Sequence, residues 1–312
     1  MTGRTDDMLV IQRNHPAEGR VVALGTFDGV HKGHCALLKN AKELADGYQV
    51  PLRVCTFNRH PLEILRPDNP PELLSSIPEK ARQMYMIGVN ETELIPFDLS
   101  TADMEPEAFL DSLRARMDVR AVVAGWNYTF GRKGRGNAEL LKENGRKHGY
   151  DVLIVPPTTQ EDGTVISSSL VRQKLKEGKA EQAAELLGYQ YTLTGTVAQG
   201  KHEGHRLGFP TANIEPWKRK ALPKYGVYTC MIEIEDAILP AVANIGIQPT
   251  LPSGRVTVEA HILDDSPDLY GHKVRLTLLT MIREERRFES VNALKEQMAK
   301  DREDALKQFN MA

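Results

Sequence analysis

The chain has 312 residues, 41% hydrophobic and 26% charged, the make-up of a globular protein long enough for two domains with separate cores. A formal net charge of −2 excludes a general pull toward nucleic acid or acidic membranes, so any anion must be held by local clusters. Three cysteines, an odd number with no C-x-x-C pair, argue against a disulfide framework and a cysteine zinc site. At the start, Met1-Thr-Gly-Arg-Thr-Asp-Asp7 lacks the apolar core of a secretion signal, and no later apolar run nears the length of a membrane span. The expected location is the cytoplasm.

Residues 21–24, 52–57, 93–96, 121–125 and 152–155 are short apolar runs that read as buried strands. Helical spacing separates them near 34–46, 79–88, 106–116 and 137–148. This alternation predicts a parallel sheet wound with helices, which binds ligands at the carboxyl ends of its strands. Gly25, Phe57 and Gly125 mark three such ends, so the loops after them should converge. Residues 168–177 and 179–187 read as helices closed by Gly178 and Gly188. Beyond Gly188 the pattern turns strand-rich at 191–197, 227–234, 238–245, 256–263 and 273–279, with turn residues between. That predicts an antiparallel barrel or sandwich. From about Ser290, Val291, Leu294, Met298, Ala305 and Phe309 share one face of a last helix. The fold class is α/β plus β.

The string Gly25-Thr-Phe-Asp-Gly-Val-His31-Lys-Gly-His34 lies where the first strand runs into a helix start. A helix N-terminus offers free N–H groups to an anion, glycines admit close backbone approach, and imidazoles donate to phosphate oxygens. Thr56-Phe57-Asn58-Arg59-His60-Pro61 follows the second strand. Leu74-Ser-Ser76-Ile-Pro78-Glu79-Lys80 reads first as a helix start, with Ser76 as cap and Pro78 near its first turn. Gly125-Trp-Asn127-Tyr-Thr-Phe130 offers ring faces suited to a flat heterocycle. The basic loop Arg132-Lys-Gly-Arg135 after it suits phosphates, as do the hydroxyls and guanidinium of Ser167-Ser168-Ser169-Leu-Val-Arg172. Leu207-Gly208-Phe-Pro210-Thr211-Ala-Asn213 sets a hydroxyl and an amide just beyond a proline turn. Glu259 sits in a strand-like run between apolar neighbours.

These strings resemble, in order and over most of the chain, the two motif sets of prokaryotic bifunctional riboflavin kinase/FAD synthetases. The resemblance implies a Rossmann-like nucleotidylyltransferase domain over residues 1–186. It implies a six-stranded antiparallel β-barrel kinase domain with a C-terminal helix over 187–312. The implied chemistry is phosphorylation of riboflavin by ATP to FMN, then adenylylation of FMN by a second ATP to FAD with release of pyrophosphate.

The family's functional residues carry over as follows. His31 and His34 are implied to be catalytic in adenylylation, with ATP held by Gly25, Phe27, Asp28, Gly33, His34, Ser167, Ser168 and Arg172. The flavin would meet Phe57, His60, Pro61, Asn127 and Phe130. In the kinase half Glu259 is the implied general base. There Gly200, Gly204, Gly208, Pro210, Thr211 and Asn213 are implied to hold ATP, Thr211 and Asn213 also Mg²⁺. Tyr228, Asn244, Arg283 and Arg286 are the implied flavin contacts. Partners are the small-molecule substrates, with no nucleic acid and no membrane, and self-association left open. The chain departs from the pattern at Ser75, Asn127, Asn137, Gln199, Lys201 and His205.

Overall fold

The computed structural model describes residues 11–12, 18–198, 211–247, 256–263 and 269–309. Packing divides the chain into two compact units, Met1–Ser168 and Ser169–Ala312.

The first unit is a six-stranded sheet in the order β1-β4-β3-β2-β5-β6. Its strands are β1 (Ile11–Gln12), β2 (Arg20–Leu24), β3 (Leu52–Phe57), β4 (Glu91–Ile95), β5 (Val119–Gly125) and β6 (Asp151–Val155). Strands β2 to β6 pair in parallel and β1 is an antiparallel edge on β4. The helices are α1 (Lys32–Tyr48), α2 (Leu62–Leu65), α3 (Ile77–Ile87), α4 (Leu99–Ala102), α5 (Pro106–Arg116) and α6 (Ala138–His148). Side chains alternate across each strand, so both faces need a cover. Val21, Ala23, Val54 and Val123 pack with Leu37, Leu38 and Ala41 of α1. Val22, Leu24, Val122 and Ala124 pack with Phe109, Leu110 and Leu113 of α5 and Leu141 of α6.

Strand order runs outward from β2 to β4, then returns to β5 on the other side of β2. The crevice at the carboxyl ends of β2 and β5 is therefore the topological switch point, where such sheets take ligands. Gly25, Phe57 and Gly125 end three neighbouring strands, and their loops converge there.

Three differences from the expected elements have physical causes. Helix α1 starts at Lys32 because His31 caps it. Helix α3 starts at Ile77 because Ser76 caps it with Glu79 in a reciprocal capping box. Strand β4 begins at Glu91, two residues early, because Glu91 and Glu93 are buried charges that no apolar pattern reveals. Arg53 lies 2.6 Å from Glu91 and 3.4 Å from Glu93, while Arg20 reaches Glu91 and Arg116 reaches Glu93.

The second unit opens with α7 (Ser168–Lys176, its first residue in the first unit) and α8 (Ala180–Leu187). Gly178 and Gly188 follow these helices with φ of 78° and 83°. Strands β7 (Thr192–Ala198), β8 (Ala212–Pro216), β9 (Gly226–Ile234), β10 (Ala237–Ile247), β11 (Val256–Ile262) and β12 (Lys273–Glu284) follow. They close into an antiparallel barrel in the order β10-β11-β8-β7-β12-β9, so no edge is left unpaired. Strand β8 is not among the expected runs, because Asn213 and Glu215 interrupt its five residues. Leu193, Ile214, Tyr228, Ile232, Ala243, Ile245, Val258, Ala260 and Leu276 are buried in the barrel. Helix α9 (Val291–Gln308) packs Ala305 with Val227, Val242 and Leu263. Cys55 and Cys230 are buried, and burial pushes both thiols above their usual range, as befits core residues.

Candidate active sites

The turn between β2 and α1 is built around two stacked imidazoles. The rings of His31 and His34 lie 3.7 Å apart at 19°, and Phe27 meets His34 edge-on at 5.2 Å. His31 Nδ1 accepts the His34 backbone N–H at 3.4 Å, the capping task usually given to serine or aspartate. An Nδ1 that accepts carries no proton, so Nε2–H of a neutral His31 is a donor. Burial first, then His31, then Lys80 hold the His34 pKa well below the usual imidazole range, so His34 is neutral at neutral pH. Its Nδ1 is buried with no hydrogen-bond partner among the described residues. A buried polar atom left unmet is costly, which suits an atom that meets a ligand. A Cβ on Gly33 would sit 3.1 Å from the His31 ring, so glycine there lets the imidazole lie over the helix start.

Other segments clamp this turn from below. Asp28 Oδ1 accepts the N–H groups of Leu74 (2.9 Å) and Ser75 (3.2 Å). Gly29 N–H donates to Ser75 Oγ at 2.9 Å, so this serine hydroxyl acts as an acceptor for the turn. Ser168 Oγ donates to the Asp28 carbonyl at 2.8 Å. Asp28 is 3% exposed, with Oδ1 turned to backbone, and the Phe27 ring is wholly buried in the core. Both residues expected to hold ATP thus shape the turn that would hold it. Phe27 and Val30 have φ of 50° and 38°, left-handed values that side chains rarely adopt.

The expected flavin side is divided. Phe57 is half-buried at the end of β3, edge-on to Phe97 at 4.8 Å. His60 Nδ1 accepts the Leu62 N–H at 3.2 Å, and Pro61 opens the short α2. Asn127 is exposed just past β5. Phe130 is 5% exposed, stacked on Tyr128 and packed with Phe109, while Gly136 lies against its ring. It is a core residue. The exposed ring of this segment is Trp126, the first residue beyond β5, and that position was the signal available in the sequence. The basic loop is less positive than it reads, because Arg132 pairs with Asp103 at 2.8 Å and Arg135 pairs with Glu105. Asn137 accepts the Leu140 N–H at 3.0 Å and caps α6. Ser167 is half-buried ahead of α7, and Arg172 is half-buried one turn into it.

In the barrel, strand register does the assembling. Asn213 of β8 lies opposite Glu259 of β11, and Glu259 opposite Asn244 of β10. Directly opposed residues share a face, so these three side chains form one row across adjacent strands. Their strand neighbours Ala212, Ile214, Val258, Ala260, Ala243 and Ile245 are buried, whereas the row is half-buried on the outer face. Thr211 is half-buried next to β8. Gly200, Gly204, Gly208 and Pro210 lie outside the described residues.

Three residues expected to touch flavin have partners within the protein. Tyr228 has the opposite parity, is wholly buried, and donates its hydroxyl to the Lys224 carbonyl at 2.6 Å. Arg283 continues the row beyond Val227, but its guanidinium lies 2.8 Å from Asp301 of α9. Arg286 bonds to Gln297 and lies over the Phe288 ring at 5.0 Å. The two arginines anchor α9. Asp301 is 3% exposed, so Asp301→Ala leaves Arg283 facing a void at a cost near the lower end of about 3–5 kcal/mol. Calorimetry should show a lower barrel transition while the parallel-sheet unit melts as before.

The family model described as FAD synthetase matches residues 13–170, and the one described as riboflavin kinase matches 187–309. The bifunctional riboflavin kinase/FMN adenylyltransferase of Escherichia coli K12 is 36% identical over 298 residues, 95% of each chain. The chain belongs to this bifunctional family. A Bacillus subtilis relative of the same name is 32% identical over 93% of this chain and 92% of its own. A crystal structure titled as a macrolide-efflux protein from Streptococcus pneumoniae is 33% identical, covers 94% of this chain and 95% of its own, and superposes with a TM-score of 0.84. No helix among the described residues here is long and apolar enough to cross a membrane. The bifunctional enzyme phosphorylates riboflavin to FMN and adenylylates FMN to FAD.

Proposed function

We propose that FMN adenylylation takes place at the His31–His34 turn and riboflavin phosphorylation at the Asn213–Glu259–Asn244 row. The observation that carries the division is the register that sets the Glu259 carboxylate between two amides on neighbouring strands. Riboflavin's ribityl hydroxyl is a poor nucleophile until its proton is taken, and a positioned carboxylate can take it. The FMN phosphate is already an anion, so adenylylation needs alignment and charge stabilisation rather than a base. His31, His34 and the first N–H groups of α1 are donors of that kind, with the Ser167 hydroxyl as a further phosphate ligand. The isolated protein, given riboflavin and ATP with Mg²⁺, should accumulate FMN and then FAD. Variants at the two sites should each abolish one step.

Mg²⁺ fits the kinase row through Thr211 Oγ1 and the amide oxygen of Asn213. Among the described residues no group of three or more His, Cys, Asp or Glu side chains could cage a metal. Two protein oxygens shared with nucleotide phosphates match the way Mg²⁺ is usually held. Bound there, the ion would neutralise phosphate charge. Thr211→Ala should raise the Mg²⁺ concentration for half-maximal riboflavin phosphorylation about tenfold, the equivalent of about 1.4 kcal/mol. A magnesium titration of the kinase step checks this, with adenylylation of supplied FMN as the reference.

The functional boundary is placed at 186/187, since the last adenylyltransferase motif ends at Arg172 and the kinase motifs begin near Gly195. The net charge of −2 supports a cytoplasmic enzyme whose partners are its small-molecule substrates.

A further inference from the structure

We infer that Lys80 is a positioning residue for adenylyl transfer: its ammonium grips the Thr26 carbonyl and so fixes the strained turn that carries His31 and His34. The inference rests on the assignment of adenylylation to that turn.

Lys80 is delivered by a rigid start to α3. Ser76 N–H donates to Glu79 Oε2 at 2.8 Å, Glu79 N–H returns to Ser76 Oγ at 3.4 Å, and Lys80 N–H donates to the Ser76 carbonyl at 2.9 Å. From this turn Lys80 Nζ donates to the Thr26 carbonyl at 2.6 Å. Thr56 Oγ1 donates to the same oxygen at 3.2 Å. That carbonyl belongs to the peptide bond entering Phe27, whose φ is 50°. A charge-assisted hydrogen bond is among the strongest ties a backbone oxygen can receive, and it falls here on the peptide that needs holding. Phe27 in turn meets the His34 ring edge-on. The chain of contact therefore runs from ammonium to carbonyl, to the left-handed residue, to the imidazole.

Charge supports the geometry. The titratable groups around the turn are Asp28 and His31 within it, His34 on α1, and Lys80 and Glu79 on α3. Burial draws the Lys80 pKa down to about 8, while Asp28 restrains the fall. Lys80 is in turn one of the causes that keep His34 neutral, after burial and His31. At neutral pH the positive charge beneath the turn thus resides on Lys80, and His34 stays uncharged beside it.

The test uses the full chain with supplied FMN and Mg-ATP. Lys80→Met keeps the aliphatic stem without the ammonium and should lower kcat for FAD formation about 10- to 100-fold, with KM for FMN within about twofold. Lys80→Arg should recover most of that loss. His34, followed by NMR, should titrate at higher pH in Lys80→Met than in the unmodified protein. Adenylylation by the unmodified enzyme should also decline as pH rises through about 8, where Lys80 loses its proton, and Lys80→Met should lack that limb. Riboflavin phosphorylation in the same preparations reports on folding. Should Lys80→Met fail to fold, Lys80→Gln must show the same kcat loss and His34 shift. Unchanged kcat in the folded variant overturns the inference, and so do equal losses in Met and Arg variants with an unmoved His34 titration. His34→Ala run alongside separates the two failures: if it makes FAD normally, the site assignment falls, whatever Lys80 does.

Discussion

Glu259→Gln is expected to lower kcat for riboflavin phosphorylation by roughly 10²- to 10⁴-fold, the worth of a positioned general base. The change keeps side-chain length and one acceptor oxygen but removes the lone-pair charge that takes a proton. Glu259 lies half-buried in its row, opposite Asn213 and Asn244, so an amide of the same shape can occupy the place without disturbing the ladder. Adenylylation of supplied FMN should persist, because its nucleophile is ionised before it binds. Paired assays on one preparation, riboflavin to FMN and FMN to FAD, make the comparison internal. Near-normal phosphorylation by Glu259→Gln at saturating Mg-ATP would remove Glu259 from the role of base. Equal loss of both activities would point to a folding defect instead.

Local pattern made much of this molecule legible in advance. The parallel sheet could be read because strands buried on both faces are short continuous apolar runs, as at Val21 to Leu24. The convergence of loops at Gly25, Phe57 and Gly125 followed from the rule for strand ends. Buried charge was what escaped. Glu91 and Glu93 look like solvent-facing residues until Arg20, Arg53 and Arg116 are placed against them across the sheet and from α5. Within the motif strings, the sequence alone could not tell exposed side chains from buried ones or from those already engaged by the protein. Phe130 and Tyr228 are aromatic residues in motif strings, yet their rings are buried. Asp28 and Arg283 are charged residues whose partners here are backbone and a buried carboxylate. Parity along a strand and the identity of a long-range partner decide such cases, and neither is written in a local string.

The second large effect is expected at His31, where a conservative change can separate the capping and catalytic jobs held by one ring. His31 caps α1 through Nδ1 and stacks on His34 at 3.7 Å. His31→Ala removes both cap and imidazole, so helix fraying of about 1 kcal/mol would cloud any loss of activity. His31→Asn supplies one of the best capping side chains, whose oxygen can accept the His34 N–H, while the Nε2–H donor and the stacked ring disappear. If the imidazole stabilises charge on the transferring phosphates, FAD formation by His31→Asn should fall about 10²- to 10³-fold, the loss typical of one removed transition-state donor. Its thermal transition should lie closer to that of the unmodified protein than His31→Ala does, and riboflavin phosphorylation should be unchanged in both. Full FAD formation by His31→Asn would mean that the ring serves only as a cap, and the burden of charge stabilisation would pass to His34 and the backbone N–H groups of the first turn.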